Sequence, residues 1–461
     1  MFDRLWADGS RLTRGLYLLV VAAVMLAGNA LIAHLSGTDS TTLLALNTLV
    51  TPTWIMKEGL FRLVNNVKFM SNVRRTYDRQ YQVGGAKVGY IVNARLPVKY
   101  LVTEGDAFQP QGVQEQIVPI ALTDLLNVAL EFSTGSLTME VDEYRERYLE
   151  PAFDQLGNEV DARGLKRMAQ ATSKFVGVPN VTPGSTGTLP QASTDAYLDA
   201  GVKLDNASVP VDKRIAMLSP AMHRYLVGGT YTLFNPALTI AKNYRTGQFG
   251  NDQLGIDEWF KTQNVYRHTI GALGTTPLTN GASQSGSSII TDGWTAVAAN
   301  RLKLGDKITI AAVNAVNPMT KQSTGQLMQF TVTADVASDG SGNATIPISP
   351  AIVGPGSAYQ NVDALVADGA AILTFGAVST YASVITAMGL VYHPDAYTLV
   401  TADLVKPEGA WVSERIRSKA LGIAFRLWKD GDIRTNEQLC RLDILIGWKA
   451  VREELGCVVL G

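Results

Sequence analysis

Cysteine is nearly missing from this chain: 461 residues carry 2, Cys440 and Cys457, both near the C-terminus. That number excludes a disulfide framework, and the expectation is two small, partly buried thiols in a reducing cytosol. Histidine is equally sparse. The 4 present (His34, His223, His268, His393) are scattered, and none has a Cys, Asp or Glu partner at metal-ligand spacing. HExxH and CxxC are absent, as are the Walker pattern, a GxSxG elbow and a GxGxxG turn opening a helix. His393-Pro394-Asp395 has the composition of an acid–base dyad, but proline holds such a segment extended, and a turn or strand end is the commoner case. Nothing singles out a lysine and an asparagine for an isopeptide bond across a subunit boundary. No catalytic, cofactor-binding or metal-binding residue is therefore assigned, and the chain reads as a protein that is not an enzyme.

Charge is also short. Charged residues make up 18% against 46% hydrophobic ones, below the usual quarter for soluble domains. A chain so lean in charge either buries much of its surface against partners or carries a membrane segment. Lys+Arg 40 against Asp+Glu 41 leaves a net charge of -1. No overall field draws the protein to nucleic acid or to an anionic membrane. The 42 glycines and 18 prolines imply many turns, yet no low-complexity tract or solenoid repeat appears.

One long apolar run is present. LYLLVVAAVMLAGNALIAHL (16–35) follows Arg4, Arg11 and Arg14, the shape of a signal peptide or a marginal span. Gly28, Asn29 and His34 weaken its second half, and the composition changes abruptly at 37–40. Residues 1–40 are read as an appendage, such as an upstream start codon would add. The competing reading takes 16–35 as anchor or signal of a membrane-anchored or exported β-rich binding protein.

Beyond it, TWIMKEGLFRLVNNVKFM (53–70) carries apolar residues at helical spacing, with Thr53 as N-cap. Basic residues gather there (Lys57, Arg62, Lys68, Arg74, Arg75, Arg79) without interleaved aromatics, so a solvated face is expected rather than a nucleic-acid surface. In 81–120, Val88, Tyr90 and Val92 alternate with other residues, a strand-like run follows at 97–103, and Ile117, Val118 and Ile120 are β-formers with Pro119 suited to an edge. This predicts a long two-stranded excursion that cannot bury both faces alone. The segment 139–175 predicts the longest helix, with Leu149, Phe153, Leu156, Val160, Leu165, Met168 and Ala169 on one stripe and a kink or fresh start at Pro151. Its carboxylates are expected on a solvated face with Arg145, Arg147, Arg163 and Arg167. Residues 194–227 predict helix, loop, strand (KRIAML), turn and a helix begun at Ser219-Pro220, and strand and hairpin elements are expected in 245–269.

From about 271 to 376 the composition turns to Gly, Ser, Thr and Ala. RLKLGDKITIAAV enters a half-buried strand through Gly305-Asp306, with Ile308, Thr309 and Ile310 alternating. MQFTVTADV, the turn DGSGN and ATIPISP complete a small all-β module. The C-terminal stretch 422–451 predicts two strands joined through the turn Lys429-Asp430-Gly431-Asp432, with Leu442, Ile444 and Ile446 alternating in the second. The body is thus expected to be discontinuous, interrupted by the module.

This order of elements resembles the major capsid (coat) proteins of tailed bacteriophages, in particular the subgroup with an extra inserted β-domain, as in the short-tailed Salmonella phage coat. The resemblance covers about 41–461 and rests on element order and short patterns. It implies an α+β fold of the Hong Kong 97 type with an inserted β-barrel-like domain. The implied divisions are an N-terminal arm (41–79), an extended β-loop (80–120), a peripheral domain with a spine helix (121–190), an axial domain (191–270), the inserted β-domain (271–376), and a return to the body with closing strands (377–461). It further implies hexamers and pentamers of an icosahedral shell, double-stranded DNA held non-specifically, scaffolding and portal proteins as partners, assembly in the host bacterial cytoplasm, residence in the virion, and no cofactor. Residues 1–40 have no counterpart in that pattern.

Overall fold

In this computed structural model, the described residues are 67–75, 91–100, 102, 112, 115–133, 150–179, 193–230, 253–406, 409, 412–418, 423–432, 434 and 437–461. The appendage at 1–40, residues 53–66 of the helix expected over 53–70 and the start of the 139–175 helix lie outside them; the described end of the 53–70 segment, 67–70, is not α-helical and leads into a single 3-10 turn at Met70–Asn72. Among the described residues no helix is long and apolar enough to cross a membrane.

Helix α1 (Glu150–Ala171) is the longest element, roughly 33 Å at ~1.5 Å per residue. Pro151 sits in its first turn, where its missing N–H costs nothing. Phe153, Leu156, Val160, Leu165, Met168 and Ala169 are all buried, at steps of one to five residues that form one stripe. That stripe packs on a sheet built mostly from the C-terminus. Strand Glu437–Ala450 is its centre, flanked on one side by Asp124–Ser133 and on the other by Ile423–Asp432 and, further along, Tyr397–Ala402. Val412–Ser418 forms an edge, and the short Arg74–Arg75 strand pairs in parallel with Tyr397–Ala402. Phe153 meets Phe425 edge-on at 6.2 Å across the interface.

A second sheet runs Phe175–Val176, Gly456–Leu460, Ile385–Tyr392, Ile215–Leu218 and Glu258–Lys261, with Arg267–Thr269 on the early part of Ile385–Tyr392. The strands Ile215–Leu218, Ile385–Tyr392 and Gly456–Leu460 are buried nearly throughout, which is why they read as unbroken apolar runs. Helix α2 (Thr194–Asn206), capped by the Ser193 side chain, and helix α3 (Pro220–Thr230) lie beside it. The two strands at 258–269 do not pair with each other as a hairpin. Each joins a different neighbour.

Between the chain segments that build this second sheet stands a six-stranded antiparallel sheet, ordered Ile372–Thr374, Lys307–Val316, Ser323–Val332, Ala344–Ile352, Gly286–Asp292 and Leu278–Thr279. Its two ends meet: Leu278 bridges Ala371, and the Ile372 N–H donates to the Pro277 carbonyl at 3.0 Å. We call it the β-module. Ile289, Ile308, Ile310, Phe330, Val332, Ile346 and Ile372 fill its interior.

Three expectations need correction. Lys307 to Ile310 are all buried, not alternately so; on the outer face Lys307 is seated on the end of α1. Residues 96–100 form no strand. The ribbon partner of Ile91–Arg95 is Ile117–Ala121. Lys429 to Asp432 continue the strand rather than turn, with Asp432 opposite Glu437.

Candidate assembly interface

The ribbon Ile91–Arg95 with Ile117–Ala121 is antiparallel, with Val92 opposite Ile120 and Ile91 opposite Ala121. Period-two alternation gives it two faces. The inner one (Val92, Ile120, with Ala94) packs with Leu122, Val400 and Ala402 on the body. The outer one leaves Ile91 54% and Ile117 52% exposed, beside Pro119 and Ala121. Further along the stem Tyr100 and Val102 are exposed too. Pro119 cannot donate to a further strand, so the ribbon offers a side-chain face rather than an extendable edge. The outer face thus carries Ile91 paired with Ala121 at one end and Ile117 paired with Arg95 at the other, with Asn93 and Pro119 between them; apolar side chains on a two-stranded ribbon cannot be covered by the ribbon itself.

The body on which the ribbon sits is itself held together by buried polar anchors. Asp161, on α1, is 2% exposed, which corrects the expectation of a wholly solvated acidic face. Its carboxylate accepts from the backbone N–H of Lys68 (3.1 Å), Phe69 (3.2 Å) and Met70 (3.0 Å). Burial pushes its pKa up to about 6, against the pull of those three bonds. The clamped segment inserts Phe69 against Trp448 (stacked, 5.3 Å) and Tyr392 (5.6 Å). Gly164 on α1 lets these rings approach, since a Cβ there would lie 2.7 Å from the Trp448 ring. The Glu159–Arg163 pair at 2.6 Å is on the solvated face as expected, while Arg167 reaches across to Asp124 at 2.8 Å.

The β-module is tied to α1 by Lys307, which is fully buried. Its Nζ donates to the carbonyls of Ala169 (2.9 Å) and Gln170 (3.1 Å) and to Thr331 Oγ1 (3.0 Å). These are orphan carbonyls at the helix C-terminus, where a cation is favoured. The last turn of α1 has no basic residue of its own, so the module supplies it. Burial drives the Lys307 pKa down to about 7. Gln329 reinforces the joint by exchanging two bonds of 2.9 Å with Phe175 backbone, and Ser349 Oγ donates to Glu453 at 3.1 Å.

The histidines that the sequence singled out fall into structural roles. His268 Nε2 lies 2.6 Å from Asp306 Oδ1, both buried, and Asp306 also accepts from the N–H groups of Gly271 and Lys303. This fixes the Gly305-Asp306 turn at the module's entrance. His393 caps the turn Pro394–Ala396, accepting from the Asp395 N–H at 3.3 Å. His223 is buried on α3, and His34 lies outside the described residues. Cys440 and Cys457 are both buried, and burial pushes the Cys457 thiol up to about 12. Among the described residues no group of three or more His, Cys, Asp or Glu is placed to hold a metal ion. Of the basic cluster, Arg74 faces Asp395 at 3.9 Å and Arg75 bonds the Ser71 carbonyl, while Lys57, Arg62 and Arg79 lie outside the described residues.

The family model for the P22 coat protein (gene protein 5) matches residues 106–461. No curated protein matches. Among solved structures, a Mycobacterium phage Che8 chain is 13% identical, with 85% of this chain and 90% of that one covered at a TM-score of 0.40. The mature capsid of bacteriophage PhiM1 gives 12% identity, 86% of each chain and 0.41. The capsid of Ralstonia phage GP4 gives 9%, 84% and 86%, and 0.41. At these values the structural likeness carries no weight of its own, and the family match over more than three quarters of the chain decides. The chain belongs to the P22 coat protein family of tailed bacteriophages, and it is a structural major capsid protein that self-assembles into the shell of the virion.

Proposed function

We propose that the chain adopts the Hong Kong 97-type fold and closes an icosahedral shell of hexamers and pentamers around double-stranded DNA. In this reading residues 41–79 form the N-terminal arm, and the ribbon is the stem of the extended loop 80–120. Helix α1 is the spine of the peripheral domain (121–190), and α2 and α3 belong to the axial domain (191–270). The β-module is the inserted, barrel-like domain (271–376), and 377–461 returns to the body. Scaffolding and portal proteins are the further partners, met in the host bacterial cytoplasm. A subunit of net charge -1 suits a container from which DNA must later leave, because a strongly basic lining would bind it too tightly.

The single observation carrying this reading is the ribbon: one face seated on the body, the other presenting Ile91 and Ile117 to solvent. In the shell that outer face lies on a neighbouring copy. Obligate interfaces of this kind bury more than ~2,000 Å². The β-module braces the subunit by capping its longest helix, which supports the bracing role over a freely tethered one.

Cysteine at position 117 tests the reading. Cys440 and Cys457 are buried, so Ile117→Cys adds an exposed thiol. Maleimide should label it in free subunits and be excluded from it in shells. Equal labelling in both states would place the ribbon outside the subunit contacts.

A further inference from the structure

A cavity of about 320 Å³ lies where four parts of the subunit meet: the ribbon stem (Lys99), the residues after α1 (Lys174), α2 (Lys203) and the β-module (Gln326, Tyr359), with Glu453 and Glu454 also on its wall. That volume suits a small ligand. Both carboxylates are already engaged. Glu453 accepts from Ser349 Oγ at 3.1 and 3.2 Å, and Glu454 accepts from Arg452 Nε at 3.3 Å. Lys174 is engaged as well, its Nζ donating to the Glu454 carbonyl at 2.7 Å.

Lys99 and Lys203 differ: among the described residues neither makes an ion pair within 4 Å, although Asp199, one turn back on α2, lies close enough to Lys203 to attract its charge. Lys99 Nζ instead stands 6.0 Å from the centre of the Tyr359 ring. The loop that carries Tyr359 is pinned by Lys321, whose Nζ donates to the carbonyls of Ala358 (2.7 Å) and Gln360 (3.4 Å). Three lysines and two carboxylates share the cavity wall, and with both carboxylates and Lys174 engaged elsewhere Lys99 and Lys203 are the cations left without an ion pair. Burial lowers the Lys174 and Lys321 pKa values; the neighbouring Cys457, Glu454 and Glu453 pull Lys174 back up while Lys203 lowers it, and Lys99 lowers Lys321 further. An anion in the cavity would supply the counter-charge that these lysines lack there.

We propose that this cavity binds a small oxyanion of the phosphate type, held by Lys99 and Lys203, which ties the ribbon stem, α2 and the β-module to one another. The bound anion would set the stem against the body from within the subunit. This inference rests on the subunit alone and does not depend on the shell reading.

Titration calorimetry of the full-length, unassembled protein with inorganic phosphate tests it, at ionic strength held constant with sodium chloride so that general screening is matched. Saturable binding of one equivalent is expected. Lys203→Met and Lys99→Met should each weaken it at least tenfold, while Lys203→Arg, which keeps the charge, should stay within threefold. A circular dichroism melt in chloride alone checks that each variant is folded. Sulfate should compete with phosphate. Binding no stronger than in the chloride control, or equal binding by the folded Lys203→Met protein, overturns the proposal. So does flat phosphate binding combined with an assembly defect in Lys203→Met, which would assign the lysines to an acidic side chain of another copy.

Discussion

Lys307→Met probes whether the β-module caps the spine helix. Methionine keeps an unbranched apolar stem and removes the donor. The Gln170 carbonyl retains its bond from Thr331 Oγ1 at 2.7 Å. The Ala169 carbonyl loses the ammonium that met it at 2.9 Å, and a buried acceptor left unsatisfied costs about 1–3 kcal/mol. Opposing this is the cost of burying the ammonium, which lowers its pKa from 10.5 to about 7. For a base depressed on folding, the unfolded chain holds more protons between those two values. Stability therefore rises with pH across that window, at up to ~1.4 kcal/mol per pH unit. Methionine has no such term. The penalty of the substitution should therefore grow by roughly 1 kcal/mol between pH 7.5 and 8.5. Lys174, lowered to about 8 by burial, titrates in the same sense but is common to both proteins and cancels in the difference. Urea unfolding of both proteins at the two pH values gives the comparison, and hydrogen exchange at 169–173 gives the local one. A penalty that is constant or shrinks as pH rises, or unchanged exchange at the end of α1, would refute the capping argument.

Other substitutions test the remaining anchors. Gly164→Ala should destabilise by about 1–3 kcal/mol through overpacking, although alanine is the better helix former by ~1 kcal/mol; the added Cβ would meet Trp448 and Phe69 at 2.7 and 3.0 Å, and a stabilised variant would show that the rings move aside freely. Asp161→Ala leaves three backbone donors without their acceptor and should cost about 3 kcal/mol or more, with faster exchange at 68–70 as the local signature. Because the folded Asp161 pKa is raised from 3.8 to about 6, its share of stability is full below pH 4 and falls as pH rises through 6; a share that instead rises across this range would reverse the sign of the argument. Ile91→Asp with Ile117→Asp should leave the monomer's melting temperature within a few degrees, since both residues face solvent, yet abolish shell formation on sedimentation.

Much of this was legible in the sequence, and the residues explain the division. The stripe Phe153, Leu156, Val160, Leu165, Met168 has one period and one buried face, so α1 is readable from local pattern. Ser219-Pro220 likewise marks the start of α3. Strands 124–133 and 456–460 were not assigned. GCVVL is buried at every position, and a short apolar run without alternation carries no strand signature distinct from a buried helix segment. The Asp430-Gly431 pair has the chemistry of a turn, but cross-strand pairing with Gln438 and Leu439 overrides it. The anchors were the least readable. Asp161 and Lys307 look like surface residues because the 68–70 backbone that meets the one and the α1 carbonyls that meet the other lie 91 or more positions away in the chain. No local pattern encodes that separation. The ribbon's alternation was visible, but which face packs on Val400 and Ala402 is decided by the body.

The central claim is that a single copy leaves the outer face of the ribbon unfinished and completes it on another copy. Electron microscopy of the expressed chain, with its scaffolding protein supplied, measures this most directly. Closed shells of uniform size are predicted, lost when Ile91 and Ile117 are both aspartate. A parent protein that stays monomeric and compact under those conditions would contradict the account.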